Sequence, residues 1–241
     1  MKLRSRAGVA AVFAVIAAAL VFTGCSSNGG KGGSTSPSPN VDAAATLKAA
    51  ADVQRKVTGL HVSVVVEGKV PNFALTKLDG DVSNAPKPAA TGTATLIVGK
   101  KNMDSKFVFV DGHLYSDLAD PGKYVDYGDG KSIYDVSTLL DPNRGLANIL
   151  ANLKDAKAAG TETINGIPTT KITGNSATSD IETLAGTRLS PGDVATTPTT
   201  VWIASDGSNH LVKLQFVPVE NSSVTLTFSQ WGKQVTVTKP V

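Results

Sequence analysis

One cysteine, Cys25, stands among 241 residues. No intrachain disulfide can form, so stability has to come from a packed core. Histidine is scarce too. His61, His113 and His210 lie in separate segments, and no HExxH, GxSxG or paired-cysteine motif occurs. The common hydrolase and zinc-site signatures are therefore missing, and the chain reads as a non-enzyme with no cofactor and no metal. A basic surplus is missing as well. The formal net charge is +3, but three of the 23 basic residues (Lys2, Arg4, Arg6) precede Cys25, leaving 20 against 20 acidic in residues 25–241. A nucleic-acid binder keeps a clustered basic excess, so that class is excluded. Only one long apolar run exists, residues 7–22, and it is shorter than the roughly 20 residues a membrane helix needs.

That run has a positive segment before it and small residues, Thr23 and Gly24, after it. This is a secretory signal layout. A small residue followed at once by cysteine is the lipobox of a bacterial lipoprotein. There the thiol takes a diacylglyceryl group, and cleavage leaves Cys25 as the first residue. Phe22 departs from the aliphatic residue usual three positions before the cysteine. Residues 1–24 are thus read as a signal peptide and Cys25 as a lipidation site that holds the protein on the outer side of the cell membrane. Residues 25–41 follow as a Gly/Ser/Pro tether, "CSSNGGKGGSTSPSPN" over 25–40, with a reach of roughly 20–25 Å. Its "GGKGG" lacks phosphate-loop spacing.

Residues 42–241 read as one domain. Asp42 is placed to cap a helix running toward Gly59, with Leu47, Ala50, Val53 and Val57 on one face. Strand patterns dominate afterwards, at 61–70, 74–83, 93–99, 106–110, 113–118, 161–174, 200–205, 210–217, 223–231 and 234–238. Asp111-Gly112 and Asn165-Gly166 mark hairpin turns. A second helix is expected over 141–160, from the cap Asp141 and first-position Pro142 to Gly160, with Leu146, Ile149, Leu150 and Leu153 as its apolar stripe. A short third helix is expected over 179–186. "DYGDGKSIYD" gathers Asp126, Asp129 and Asp135 without the order of a calcium loop, and reads as a solvated turn. Trp202 and Trp231 read as packing anchors. In 223–231, Val224, Leu226 and Phe228 alternate with Thr225, Thr227 and Ser229, giving one apolar face and one wet face. The class is α+β: ten or eleven antiparallel strands with few helices. A sheet that wide must curl. Its thin helical cover leaves two outcomes open, a filled core or a hollow.

"RGLANILANLKDAK", "TINGIPTTKITG", "TTVWIASDG" and "WGKQVTVTKP" resemble, in matching order, the mycobacterial LppX/LprA/LprF/LprG lipoprotein family. The likeness extends over essentially the whole chain. It implies a strongly curved antiparallel half-barrel with helices on the concave side around a hydrophobic cavity. It also implies an acylated lipid or glycolipid ligand moved toward the outer envelope, an inner-membrane exporter as partner, and an acylated N-terminus recognised by host Toll-like receptor 2. Residues that fit a cavity wall by pattern are Val64, Val66, Ala94, Leu96, Val98, Phe107, Phe109, Leu146, Ile149, Leu150 and Leu153. Each fits a filled core equally well.

Overall fold

Asp42 caps the first helix: its carboxylate accepts from the N–H groups of Ala44 and Ala45 at 3.0 and 3.1 Å. Helix α1 (Ala43–Gln54) buries Leu47, Ala50, Ala51 and Gln54. It stops short of Gly59 because Gly59 already belongs to the first strand. The computed structural model describes residues 41–240. The signal segment, Cys25 and the tether to residue 40 lie outside the described residues. The described residues 41–240 lie in one compact unit that contains every described strand, helix and core residue.

The strands are β1 (Gly59–Glu67), β2 (Leu75–Ser83), β3 (Ala89–Val98), β4 (Lys101–Val110), β5 (His113–Ser116) and β6 (Val125–Asp129), then β7 (Lys154–Ile164), β8 (Ile167–Ala177), β9 (Thr196–Ala204), β10 (Leu211–Phe216) and β11 (Ser223–Ser229). They form one sheet in the order β6-β5-β4-β3-β2-β1-β11-β10-β9-β8-β7, antiparallel at every pairing. The chain steps outward from β1 to one edge, crosses to the other edge, and steps back to β11 beside β1. That crossing has to traverse the inner face. It does so as the 3₁₀ turns Gly130–Ser132 and Val136–Leu140 and helix α2 (Leu146–Asn152). Helix α3 (Thr178–Ala185) joins β8 to β9 on the same side. The sheet is curved and unclosed. Register slips on β2, β6, β7 and β10 are bulges of the kind that bend strands.

Three expectations are corrected. The second helix spans only Leu146–Asn152: Gly145, not Asp141, is its N-cap, Asp141 accepts instead from the N–H groups of Asn143 and Arg144 in the turn before it, and the helix ends well before Gly160. Leu153 is extended and Asp155 takes φ 53°. Ala156, Ala158 and Gly160 then alternate as half-buried residues of β7, and pairing with β8 overrides helix propensity. Residues 234–238 form no strand, because β1 and β10 already occupy both sides of β11. The tail is instead a strap. Gly232 N–H donates to Gly59 O at 2.7 Å, Lys233 pairs with Asp81 at 2.9 Å, and Lys239 lies 5.6 Å from the Tyr115 ring. Finally, part of the expected turn at 126–135 is the edge strand β6.

The sheet is filled on one wing and hollow on the other. Beneath β8–β11, Ile172, Val201, Ile203, Leu214, Phe216 and Phe228 are 0–2% exposed and share one buried core with Leu47 and Ala50 of α1 and Leu146 and Ile149 of α2. On β2–β5 the inner positions include Gly80, Ala90, Gly92, Ala94, Ser105 and Ser116 among larger apolar residues. Small side chains leave the curved sheet short of volume there, and the space stays open.

Candidate functional site

The open space is a cavity of about 630 Å³. Its floor is the small-residue wing. Gly80 and Gly92 face each other across β2 and β3. A methyl on Gly80 would stand 2.7 Å from Thr91 O and 3.3 Å from the Phe107 ring, and one on Gly92 would stand 2.6 Å from Gly80 Cα. Bare backbone at this pair is what lets Phe107 lie against the floor. Leu78, Val82, Leu96, Phe107 and Leu114 form the sides. Tyr134, Val136 and Leu139 of the crossing segment, with Leu184 and Gly186 at the end of α3, form the roof. Val62, Val64, Phe216, Val224 and Leu226 close it toward the filled wing, and Asn72, Phe73 and Leu75 line one end.

The roof is held by a specific latch. The Tyr134 hydroxyl donates to Leu184 O at 3.0 Å, joining the crossing segment to α3. Its ring rests against Gly186, which takes φ +69° as the left-handed stop of α3. Burial, and then the charge of Asp135, push the phenol above its usual range, so the hydroxyl stays a neutral donor. The wall's two buried hydroxyls, Ser105 and Ser116, hydrogen-bond to each other, and Ser105 also donates to Lys106 O at 3.1 Å. Their polarity is thereby met within the wall.

Asp117 fixes the rim beside them. Its carboxylate accepts from Lys106 N–H at 2.6 Å and Gly122 N–H at 3.2 Å. The Lys106 bond chiefly holds the carboxyl below the usual carboxylate range, against the opposing effect of burial. A depressed folded value means the stabilisation is complete above the unfolded pKa of about 3.9 and fades as pH falls through the folded value. The stability gap between wild type and Asp117→Ala, read by urea unfolding, is therefore expected to be largest at pH 7 and to shrink toward pH 3. A gap that does not change with pH would contradict this role.

Of the residues expected in a cavity wall, Val64, Ala94, Leu96 and Phe107 line it. Seven do not. Phe109 is 1% exposed in the core, beside Gly130. Val66 packs on the core at the end of β1. Leu146, Ile149, Leu150 and Leu153 belong to the filled wing, where α2 meets α1. Val98 is 45% exposed at the end of β3, beyond the wall. The roof residues Tyr134, Val136 and Leu139 and the floor glycine Gly80 were not anticipated. The floor's signal was the run of small residues at alternate positions of β3, Ala90, Gly92 and Ala94, which marks where bulk is missing; the roof had no such local signal.

Among the described residues no catalytic arrangement accompanies the cavity. His61 lies between Asp81 (2.9 Å) and Asp79 (3.3 Å), but Ser63 donates to Asp79 at 2.7 Å rather than to the imidazole. His113 meets Asp126 at 3.1 Å, and His210 stacks on Trp231 at 4.4 Å. Trp202 is buried and donates to Glu162 at 2.7 Å. Asp126, Asp129 and Asp135 each accept locally, from the N–H groups of Gly128, Lys131 and Ser137, as turn carboxylates do. Among the described residues no group of three metal-binding side chains converges.

Comparison with known proteins supplies context for this geometry. The family model described as LppX_LprAFG lipoprotein matches residues 42–237. Lipoprotein LprA of Mycobacterium tuberculosis is 61% identical over 236 residues, 97% of each chain. The lipoarabinomannan carrier protein LprG of Mycolicibacterium smegmatis is 43% identical over 100% of this chain and 99% of its own. The crystal structure of LprF from Mycobacterium bovis superposes with a TM-score of 0.74 at 24% identity, covering 84% of this chain and 99% of that one; at that identity the likeness speaks to the fold alone.

Proposed function

The chain belongs to the LppX_LprAFG lipoprotein family, and from that premise we propose that it binds acylated lipids or glycolipids in the cavity and carries them toward the outer envelope. As a lipoprotein it is anchored to a membrane of the cell envelope. The relatives reported above are named as lipoproteins and a carrier, not as enzymes.

The observation that carries the proposal is the apolar hollow. The space opens to solvent, and nearly all of its wall is apolar side chain. Water gains little from an apolar wall, whereas each methylene moved out of water gains about 0.8 kcal/mol. A membrane offers acyl chains the same burial, so transfer from bilayer to cavity is near neutral. The protein thus lowers the barrier to crossing water and gives the traffic no direction of its own. For a glycolipid, this wall suits the chains and leaves the sugar at the mouth. Residues 26–241, lacking the acyl group, are expected to accelerate passage of a pyrene-labelled phospholipid between donor and acceptor vesicles at least ten-fold. Transfer no faster than the spontaneous rate would sink the proposal.

Cys25, outside the described residues, is proposed as the lipid anchor on the outer face of the membrane. One acyl chain holds a protein only marginally and two hold it firmly. Cys25→Ala is therefore expected to move the processed protein out of the detergent phase in a Triton X-114 partition, or to leave an uncleaved precursor. Unchanged partitioning of a processed Cys25→Ala chain would contradict the anchor.

A further inference from the structure

The inner face of β3 runs Ala94, Leu96, Val98 at two-residue spacing, so the three side chains share one side of the sheet. The first two line the cavity. Val98 lies beyond it and is 45% exposed, and its neighbour Ile97 is 46% exposed. The apolar track thus leaves the cavity and emerges at the β3–β4 turn. There the chain reads Ile97-Val98-Gly99-Lys100-Lys101, with Gly99 at φ +66°. Ile97 N–H donates to Ala74 O at 2.8 Å, which fixes the turn to the β1–β2 connection, where Asn72, Phe73 and Ala74 line the cavity's end. That connection adds Lys69, and Lys77 lies just inside β2. Among the described residues, none of Lys69, Lys77, Lys100 and Lys101 is in an ion pair. Two acids lie at this end, Asp104, which accepts from Thr95 at 2.6 Å, and Glu67, which accepts from Ser223 at 3.2 Å; against four lysines they leave a positive surplus.

We propose that the β3–β4 turn is a docking element that seats this end of the cavity on the surface of an anionic lipid bilayer. Two exposed branched side chains flanked by free ammonium groups match such a surface in both polarity and charge. Continuity with the cavity wall gives an acyl chain an apolar path between bilayer and cavity without passing through water. The inference rests on the carrier reading for what passes along that path, but docking itself is separately measurable.

The test is co-sedimentation of residues 26–241 with vesicles of phosphatidylcholine alone or with 30% phosphatidylglycerol, alongside binding of a pyrene-labelled fatty acid in solution. The wild type is expected to prefer the anionic vesicles at least ten-fold, less so at high salt. Lys100→Gln with Lys101→Gln is expected to weaken binding about thirty-fold, the equivalent of about 2 kcal/mol at about 1 kcal/mol per lysine. Ile97→Ser with Val98→Ser is expected to weaken it at least ten-fold. Both pairs are exposed, so the fold and fatty-acid binding should be unchanged. Equal binding by wild type and both variants, or none to either vesicle, overturns the docking element. So does turn-dependent association with a second copy in place of vesicle binding. Turn-dependent vesicle binding with no fatty-acid binding keeps the docking element and overturns the carrier reading instead.

Discussion

Ala94→Trp is expected to abolish acyl-lipid binding while leaving the protein folded. Ala94 sits on the inner face of β3, directly opposite Leu78 on β2 and Ser105 on β4. Its side chain borders the cavity and is only half-buried. In a filled core an indole at this position would overpack, at about 1–3 kcal/mol or more. Here it projects into the space an acyl chain would take. Bound ligand also raises apparent stability by mass action, so the fair comparison is with delipidated wild type. Against that reference, Tm is expected to move by no more than about 3 °C, the equivalent of about 1 kcal/mol for a domain of this size. Pyrene-fatty-acid binding should fall at least thirty-fold. A strongly destabilised variant, or one that binds the probe as wild type does, would contradict the position of the cavity.

Leu150→Ala should do the opposite. Leu150 is 1% exposed on α2, in the wing where helices and sheet meet without a gap. Truncating a buried leucine removes about 2–5 kcal/mol, part of it for the space left behind. A loss near 3 kcal/mol lowers Tm by about 6–12 °C. Urea unfolding is the direct measurement, with the midpoint moving and the slope unchanged. Fatty-acid binding at low temperature should persist, because Leu150 does not border the cavity. A loss under about 1 kcal/mol would mean α2 does not belong to a filled core. Together the two variants separate the wings: one costs stability and spares binding, the other costs binding and spares stability.

The strand pattern made much of this legible. Alternation along 223–231 and 93–99 placed the apolar face, and Asp111-Gly112 and Asn165-Gly166 placed turns that the structure has at those positions. Two alternatives left open by the pattern, a filled core and a hollow, turn out to hold on different wings. The discriminating feature was inner-face volume. Ile172, Val201, Ile203 and Phe228 fill one wing, while Gly80, Gly92, Ala94 and Ser105 cannot fill the other. The apolar stripe of α2 misled because a helix stripe says that something is buried, not against what. Leu146, Ile149, Leu150 and Leu153 face the wing that has bulk to meet them. The roof was least legible. Tyr134 reaches Leu184 across 50 positions of chain, and no local pattern encodes such a contact. The β7 start was hidden for a different reason: "KDAKAAG" satisfies helix propensity and period-two burial alike, and only the partner strand decides between them.

The central claim is that the hollow wing holds acyl chains in the cell. The most direct measurement is mass spectrometry of the organic extract of residues 26–241 purified without detergent from a mycobacterial host, beside Ala94→Trp prepared identically. Near-stoichiometric acylated lipid is expected from the wild type and little or none from the variant. A wild-type protein that yields no acylated lipid, or a variant that yields the same amount, would contradict it.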